Sequence, residues 1–318
     1  MNYDLRTLPK LRDGLSYAYF EHCIIEQEGL AVAVFSESER VQVPVGALGV
    51  LMLGPGTSIT HAAVRTLSEN GCLVVWTGEG VQRFYAQGLG ETRKGRHLER
   101  QARLWADKRL HEEVVLRMYQ MRFRKRLPEG LTLEQIRGLE GVRVREAYSR
   151  ASRRTGVKWE GRRYDRNNWA RADPVNRALS AANACLSAVC HTAIVSGGYS
   201  PGLGFIHVGK ALSFVWDIAD LYKVEMTIPL AFEVTAGNPS HLESAVRAAC
   251  RERFRMLGLL ERILPDIDRL FDLGSDIETG EWDGDIDADP ARPAPYWEPS
   301  KRAAGGRGLA METGGGEA

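Results

Sequence analysis

Two patterns of apolar positions divide the chain. Up to about residue 88 the apolar residues come in short runs, LAVAVFSE, LGVLML and CLVVWTG, and GEG at 78–80 leads into a returning VQRFYAQG. Runs of this length between Gly and Pro turns predict strands. One helix interrupts them: Thr60 is placed to cap it, Ala63, Val64 and Leu67 form its face, and Gly71 ends it. Beyond Gly90 the period changes. Leu98, Ala102, Ala106, Leu110, Val114 and Met118 recur every four residues, which predicts one long amphipathic helix. Helical spacing continues through 132–151, 174–196, 213–224 and 240–272. Past Gly274 the chain is acidic, then rich in Pro, Gly and Ala (ADPARPAPYWEPSKRAAGGRG), a composition that buries too little to order itself. The pattern predicts an α+β protein with a β-rich domain over 1–88, an α-helical domain over 89–274 and a flexible tail over 275–318.

At 318 residues and 44% hydrophobic, the chain is long enough for one large or two moderate domains with real cores. It has no run of eighteen apolar residues, and MNYDLRTLPK lacks a signal-peptide core, so a soluble, cytoplasmic protein with no membrane partner is expected. The five cysteines (Cys23, Cys72, Cys185, Cys190, Cys250) are scattered and show no CxxC spacing. That argues against a disulfide framework or a zinc site and for buried thiols in a reducing compartment. The net charge of +1 conceals a polarity. Residues 91–171 hold 23 Lys and Arg against 11 Asp and Glu, and residues 266–289 hold 10 acids and one base. Clustered guanidinium groups suit a polyanion, although a solvated helix face gives the same count. No internal repeat or glycine-rich nucleotide fingerprint is present.

The stretch GFIHVGKALSFVWDIADLYK, residues 204–223, carries the most chemistry. Ser213 is placed to cap a helix whose Phe214, Ile218 and Leu221 face a core. Asp217 and Asp220 then project from a neighbouring face, with Asp217 in the first turn and Lys223 continuing the row. His207 precedes the helix in a Gly-rich loop that can fold the ring back over the aspartates. An amphipathic helix with two acids explains the carboxylates equally well. A histidine beside them, near Lys210 and Lys223, favours convergent metal ligands of mixed oxygen and imidazole type, hence Mg2+ or Mn2+. Glu140 is a further candidate. It lies in TLEQIRGLEGVRVREAY, where Thr132 and Gln135 form a capping box, and Gly138 and Gly141 on either side would admit another segment close to it, although a tight helix–helix crossing with Glu140 merely exposed fits this segment equally well.

Four ordered motifs, PGTSITHAAVRTL, GLEGVRVREAY, TGVKWEGRRYDRNNW and GYSPGLGFIHVGKALSFVWDIADLYK, resemble the CRISPR-associated integrase, the larger subunit of the spacer-acquisition complex, in its subtype I-E form. The resemblance runs from about Leu11 to Leu273. It implies an N-terminal β-sandwich used for dimerisation and DNA-end contact, followed by an all-helical catalytic domain. It also implies a homodimer that joins a small dimeric Cas subunit and inserts captured double-stranded DNA with 3′ ends (the prespacer) into leader–repeat DNA of a CRISPR array. Carried over by motif, the metal ligands are Glu140, His207 and Asp220, with Asp217 beside them as a catalytic residue. The DNA-binding positions are Arg65, Arg83, Lys210, Lys223, Arg247 and Arg251, joined by the aromatic Tyr164 and Trp169. A tyrosine that caps the duplex end in a related integrase falls at His22, which stacks with less area. Two other classes remain open at this point: a non-catalytic nucleic-acid-binding scaffold, and a metal-dependent repair nuclease unrelated to CRISPR.

Overall fold

The computed structural model describes residues 17–29, 31–37, 39–45, 48–79, 83–88, 95–123, 125–162 and 173–271. The expected tail lies outside them, as do Tyr164 and Trp169. Eight strands among the described residues form two four-stranded sheets. They are β1 (Tyr17–Phe20), β2 (Ile24–Glu28), β3 (Ala31–Phe35), β4 (Arg40–Pro44), β5 (Val50–Leu53), β6 (Ser58–Ile59), β7 (Leu73–Thr77) and β8 (Phe84–Gln87). One sheet has the order β1-β5-β7-β8, parallel except for the β7–β8 hairpin; the other has the order β4-β3-β2-β6.

Strand alternation explains why VLML and LVVW are apolar at every position. Leu51, Leu53 and Val74 point into the sandwich against Ile25, Val32 and Val34, and α1 (His61–Glu69) adds Ala63 and Leu67 to that core. Their neighbours Val50, Met52, Leu73 and Val75 point the other way, into a core shared with the helices. A sheet covered on both faces reads as a continuous hydrophobic run. Helix α1 begins as expected, with the Thr60 hydroxyl accepting from the Ala63 amide.

Eight helices follow among the described residues: α2 (Arg96–Ala106), α3 (Lys108–Arg122), α4 (Leu133–Thr155), α5 (Pro174–Ser196), α6 (Ser213–Tyr222), α7 (Thr227–Ala236), α8 (Leu242–Met256) and α9 (Leu259–Phe271). The single long helix expected from Leu98 to Met118 is two. Asp107 adopts extended backbone and its carboxylate caps α3 by accepting from the Leu110 amide at 2.9 Å. A short acidic side chain competes with the helix for its own backbone, and here the cap wins. The helix expected over 240–272 also breaks, at Gly258, whose φ of +56° lies in the left-handed region. Helix α7 was not anticipated. Helix α4 runs on past residue 151 to a left-handed Gly156. Helix α5 is the hub of the helical core. It is long and apolar enough to cross a membrane, and 67% of its most apolar window is buried inside the protein.

Candidate active site

The loop between α5 and α6 is held by its backbone. Gln101, fully buried on α2, accepts from the Ser200 amide at 2.7 Å and donates to the Ser200 and Leu203 carbonyls at 3.0 Å each. Trp105 donates its indole N–H to the Gly204 carbonyl at 3.0 Å, and a ring nitrogen of His111 lies 2.9 Å from the Phe205 carbonyl. Gly204 is required here: a Cβ on it would lie 2.2 Å from the His207 carbonyl oxygen and 2.7 Å from Ser213. This clamp delivers His207 to the N-terminal end of α6.

Asp217 does not project from a face beside the core. It is the fifth residue of α6, outside the first turn, and fully buried. The reason is the loop. Its carboxylate accepts the amides of Phe205 (2.6 Å), Ile206 (3.1 Å) and His207 (2.9 Å), and the His207 Nδ1–H at 2.7 Å. Four N–H donors compensate its burial. The hydrogen bond from the ring to Asp217 raises the His207 pKa, against desolvation. With Nδ1 committed, Nε2 is the atom left for chemistry, on a side chain 41% exposed. Ser213 is not the N-cap. Leu212 occupies that position without a side-chain cap, and the Ser213 hydroxyl instead accepts the Lys210 amide at 3.1 Å.

Glu140 on α4 and Asp220 on α6 meet through Arg122, the last residue of α3. Arg122 Nη1 lies 3.6 Å from Glu140 Oε1, and Nη2 lies 3.7 Å from Asp220 Oδ2. Glu140 also takes a two-pronged hydrogen bond from Arg143, 2.7 and 2.8 Å, and Asp220 pairs with Lys223 at 2.5 Å. The capping box at Thr132 and Gln135 that starts α4 is present. Among the described residues the expected close approach at Gly138 and Gly141 is absent: nothing lies within 4 Å of a Cβ at Gly138, and only the Arg145 side chain lies near Gly141.

Two carboxylates and a fixed imidazole are donors that fit a hard divalent cation. Among the described residues no three His, Cys, Asp or Glu side chains are grouped closely enough to hold one as they stand. Glu140 and Asp220 face guanidinium and ammonium groups instead. A groove of about 970 Å³ opens beside them, lined by Arg122, Phe123, Lys125, Arg143, Arg150 and Arg154 among others.

The positions expected to bind DNA are dispersed. Lys210 is exposed in the His207 loop. Arg65 is exposed on α1 near Glu69, and Arg83 is exposed beside β8. Arg247 on α8 pairs with Glu79 at 2.9 Å and its side chain is only 14% exposed, whereas Arg251 is exposed with its guanidinium 5.6 Å over the Tyr19 ring. His22 is exposed in a left-handed turn, where a Cβ at Gly56 would come within 2.5 Å of its ring. Arg122, Arg143 and the Gln101, Trp105 and His111 clamp were not anticipated. Only Arg143 carried a signal, its spacing of three from Glu140 on one helix face.

The fold and site together define an α+β protein, a β-sandwich joined to a helical lobe that carries an Asp217–His207 pair and two carboxylates, Glu140 and Asp220, bridged by Arg122. Residues 96–241 match the family model described as CRISPR associated protein Cas1. The chain is 55% identical over 303 residues to the CRISPR-associated endonuclease Cas1 2 of Thermus thermophilus, covering 95% of this chain and 92% of that protein. It is 48% identical over 247 residues to the CRISPR-associated endonuclease Cas1 3 of Methanospirillum hungatei, covering 78% and 83%. The structure is similar to that of the TtCas1–DNA complex, with a TM-score of 0.74, 59% identity, and coverage of 83% of this chain and 99% of that one. The chain belongs to the Cas1 family.

Proposed function

We propose that this protein is a metal-dependent DNA integrase and endonuclease of CRISPR adaptation. It joins the 3′-OH ends of a captured prespacer into the leader-proximal repeat by transesterification. The observation that carries this reading is the Asp217–His207 pair, in which a buried carboxylate commits Nδ1 and leaves Nε2 free on a partly exposed ring that feels the charge of Asp220. The groove beside the site, rimmed by four arginines and a lysine, supports a DNA strand as the substrate. The 55% identical relative named as a Cas1 endonuclease, and the similar structure solved with DNA, support it as well.

Glu140, His207 and Asp220 would hold Mg2+ or Mn2+, which when bound supplies Lewis acidity to the phosphoryl group and the attacking hydroxyl. Asp217 is a positioning residue: it fixes the tautomer and direction of His207 through Nδ1. Lys210 and Lys223 bind the phosphate on the reacting strand, and Lys223 also pairs with Asp220 at 2.5 Å. Water in place of the DNA hydroxyl gives strand hydrolysis at the same residues. The arginines bind backbone without reading sequence. A homodimer, a small dimeric Cas partner and the subtype I-E assignment complete the proposal.

The test is strand joining of a 3′-OH duplex into a leader–repeat target with Mg2+ or Mn2+ and the small Cas partner. Glu140→Ala, His207→Ala and Asp220→Ala should each abolish joining while duplex binding persists. Near-wild-type joining by any two of them overturns the site. A scaffold gives no joining by the wild type, and a repair nuclease shows no dependence on the repeat.

A further inference from the structure

Among the described residues three cations pair with the two carboxylates, Glu140 and Asp220, and one of them is unlike the others. Arg143 and Lys223 are partly exposed and make short hydrogen-bonded pairs with Glu140 and Asp220. Arg122 is buried, with a side chain only 5% exposed, and sits between both carboxylates at 3.6 and 3.7 Å, too far for hydrogen bonds. Its Nε and Nη2 have no hydrogen-bond partner among the described residues, and its guanidinium lies 5.1 Å over the Tyr119 ring. A buried guanidinium with unmet donors is a poor contribution to stability. Glu140 and Asp220 do not need it as a partner, because each already has one. Arg122 leaves the cluster with one more positive charge than Glu140 and Asp220 neutralise.

We propose that Arg122 is an internal counter-ion that sets metal uptake, a positioning residue that competes with a divalent cation for Glu140 and Asp220. This rests on the assignment of those two residues as metal ligands. Any divalent cation taken up by the same oxygens is repelled by the guanidinium already beside them. The protein without DNA therefore binds metal weakly. A DNA phosphate entering beside Arg122 neutralises the surplus charge, so metal and substrate are taken up together. The device keeps a nuclease centre from being fully loaded when no DNA is present.

The experiment is titration of the full-length protein with Mn2+ in the absence of DNA, following the electron-spin resonance signal of free Mn2+. One neighbouring unit charge moves the proton affinity of a carboxylate by about 1–3 log units, and it acts on a divalent cation at least as strongly. Arg122→Gln should therefore bind Mn2+ at least about tenfold more tightly than wild type. Arg122→Lys, which keeps the charge, should stay close to wild type. Added duplex DNA should tighten Mn2+ binding in the wild type far more than in Arg122→Gln. Should Arg122→Gln not fold, Arg122→Met removes the charge while keeping the packing stem and carries the same test. Unchanged or weaker Mn2+ binding in the uncharged variant overturns the proposal. Wild-type binding that is lost in Glu140→Ala shows the ligand assignment standing in that case. Absence of any Glu140-dependent Mn2+ binding, in wild type and variant alike, overturns the assignment and this proposal with it.

Discussion

Replacing Asp217 with Asn tests the foundation of the site while changing almost no volume. The carboxylate serves two donors with each oxygen: the Phe205 and Ile206 amides at Oδ2, and the His207 amide and Nδ1 at Oδ1. An amide must place an NH2 group where one of those oxygens was, so two buried N–H donors face a third donor whichever way it turns. Each unsatisfied buried group costs about 1–3 kcal/mol, and loss of the charge weakens the two bonds that remain. The sum is about 3–5 kcal/mol, in the range for breaking a buried charged network. Two outlets share it: global stability, and local opening of the 204–208 loop. Urea unfolding reads the first and amide exchange at residues 205–207 reads the second. Strand joining should fall in either case, because Nδ1 then meets either a donor or a neutral, weaker acceptor and the ring is held less firmly; duplex binding should persist. An Asp217→Asn protein with an unchanged urea midpoint and unchanged exchange at 205–207 would refute the claim that this carboxylate organises the loop.

Gly204→Ala should displace the same loop by another route, since its Cβ meets backbone at 2.2 Å; a loss of about 1–3 kcal/mol in a thermal melt, together with failed joining, is expected. His191, buried on α5 and stacked on Phe84 at 3.7 Å, has its pKa pushed down to about 4 by desolvation. The unfolded chain binds that proton near pH 6.5 and the folded one only near 4, so the stabilisation is complete above about 6.5 and is lost as pH falls towards 4, by up to about 3 kcal/mol. Urea unfolding at a series of pH values should show this slope in the wild type and a flatter one in His191→Leu; equal slopes would discard it. In a salt titration of duplex binding, Arg251→Ala should lower the log–log slope by about 0.9, one phosphate contact. Arg247→Ala should lower it less, because that guanidinium is held by Glu79, and a full unit of loss from Arg247 alone would show the pair opening for DNA.

Much of the fold was legible because each feature rested on a local pattern. Short apolar runs between turns became strands, and the capping box at Thr132 and Gln135 became the start of α4. What failed were boundaries set by a single residue. Asp107 sits in an unbroken four-residue period that reads as helix, and only its backbone shows that the carboxylate has been spent on capping α3. The period carries no information about that choice, because the apolar face of α3 resumes in nearly the same phase after the break.

The candidate site divides along the same line. His207, Asp217 and Asp220 lie within one twenty-residue segment, so spacing and resemblance reach them. Even so, spacing put Asp217 on the wrong surface: a carboxylate three residues before another looks like its equal on a polar face. Only the loop's folding back, with three amides converging on one side chain, makes it the buried member that orients the histidine. The residues that no pattern showed are those that act across the fold. Gln101 and Ser200 are 99 positions apart, and Arg122 lies in a run, MRFRKR, where one arginine looks like any other. A basic run implies solvent and phosphate for all its members. Burial separates one of them: Arg122 faces inward between Glu140 and Asp220, so it belongs to the chemistry of the site, whereas Lys125 and Arg126 are exposed.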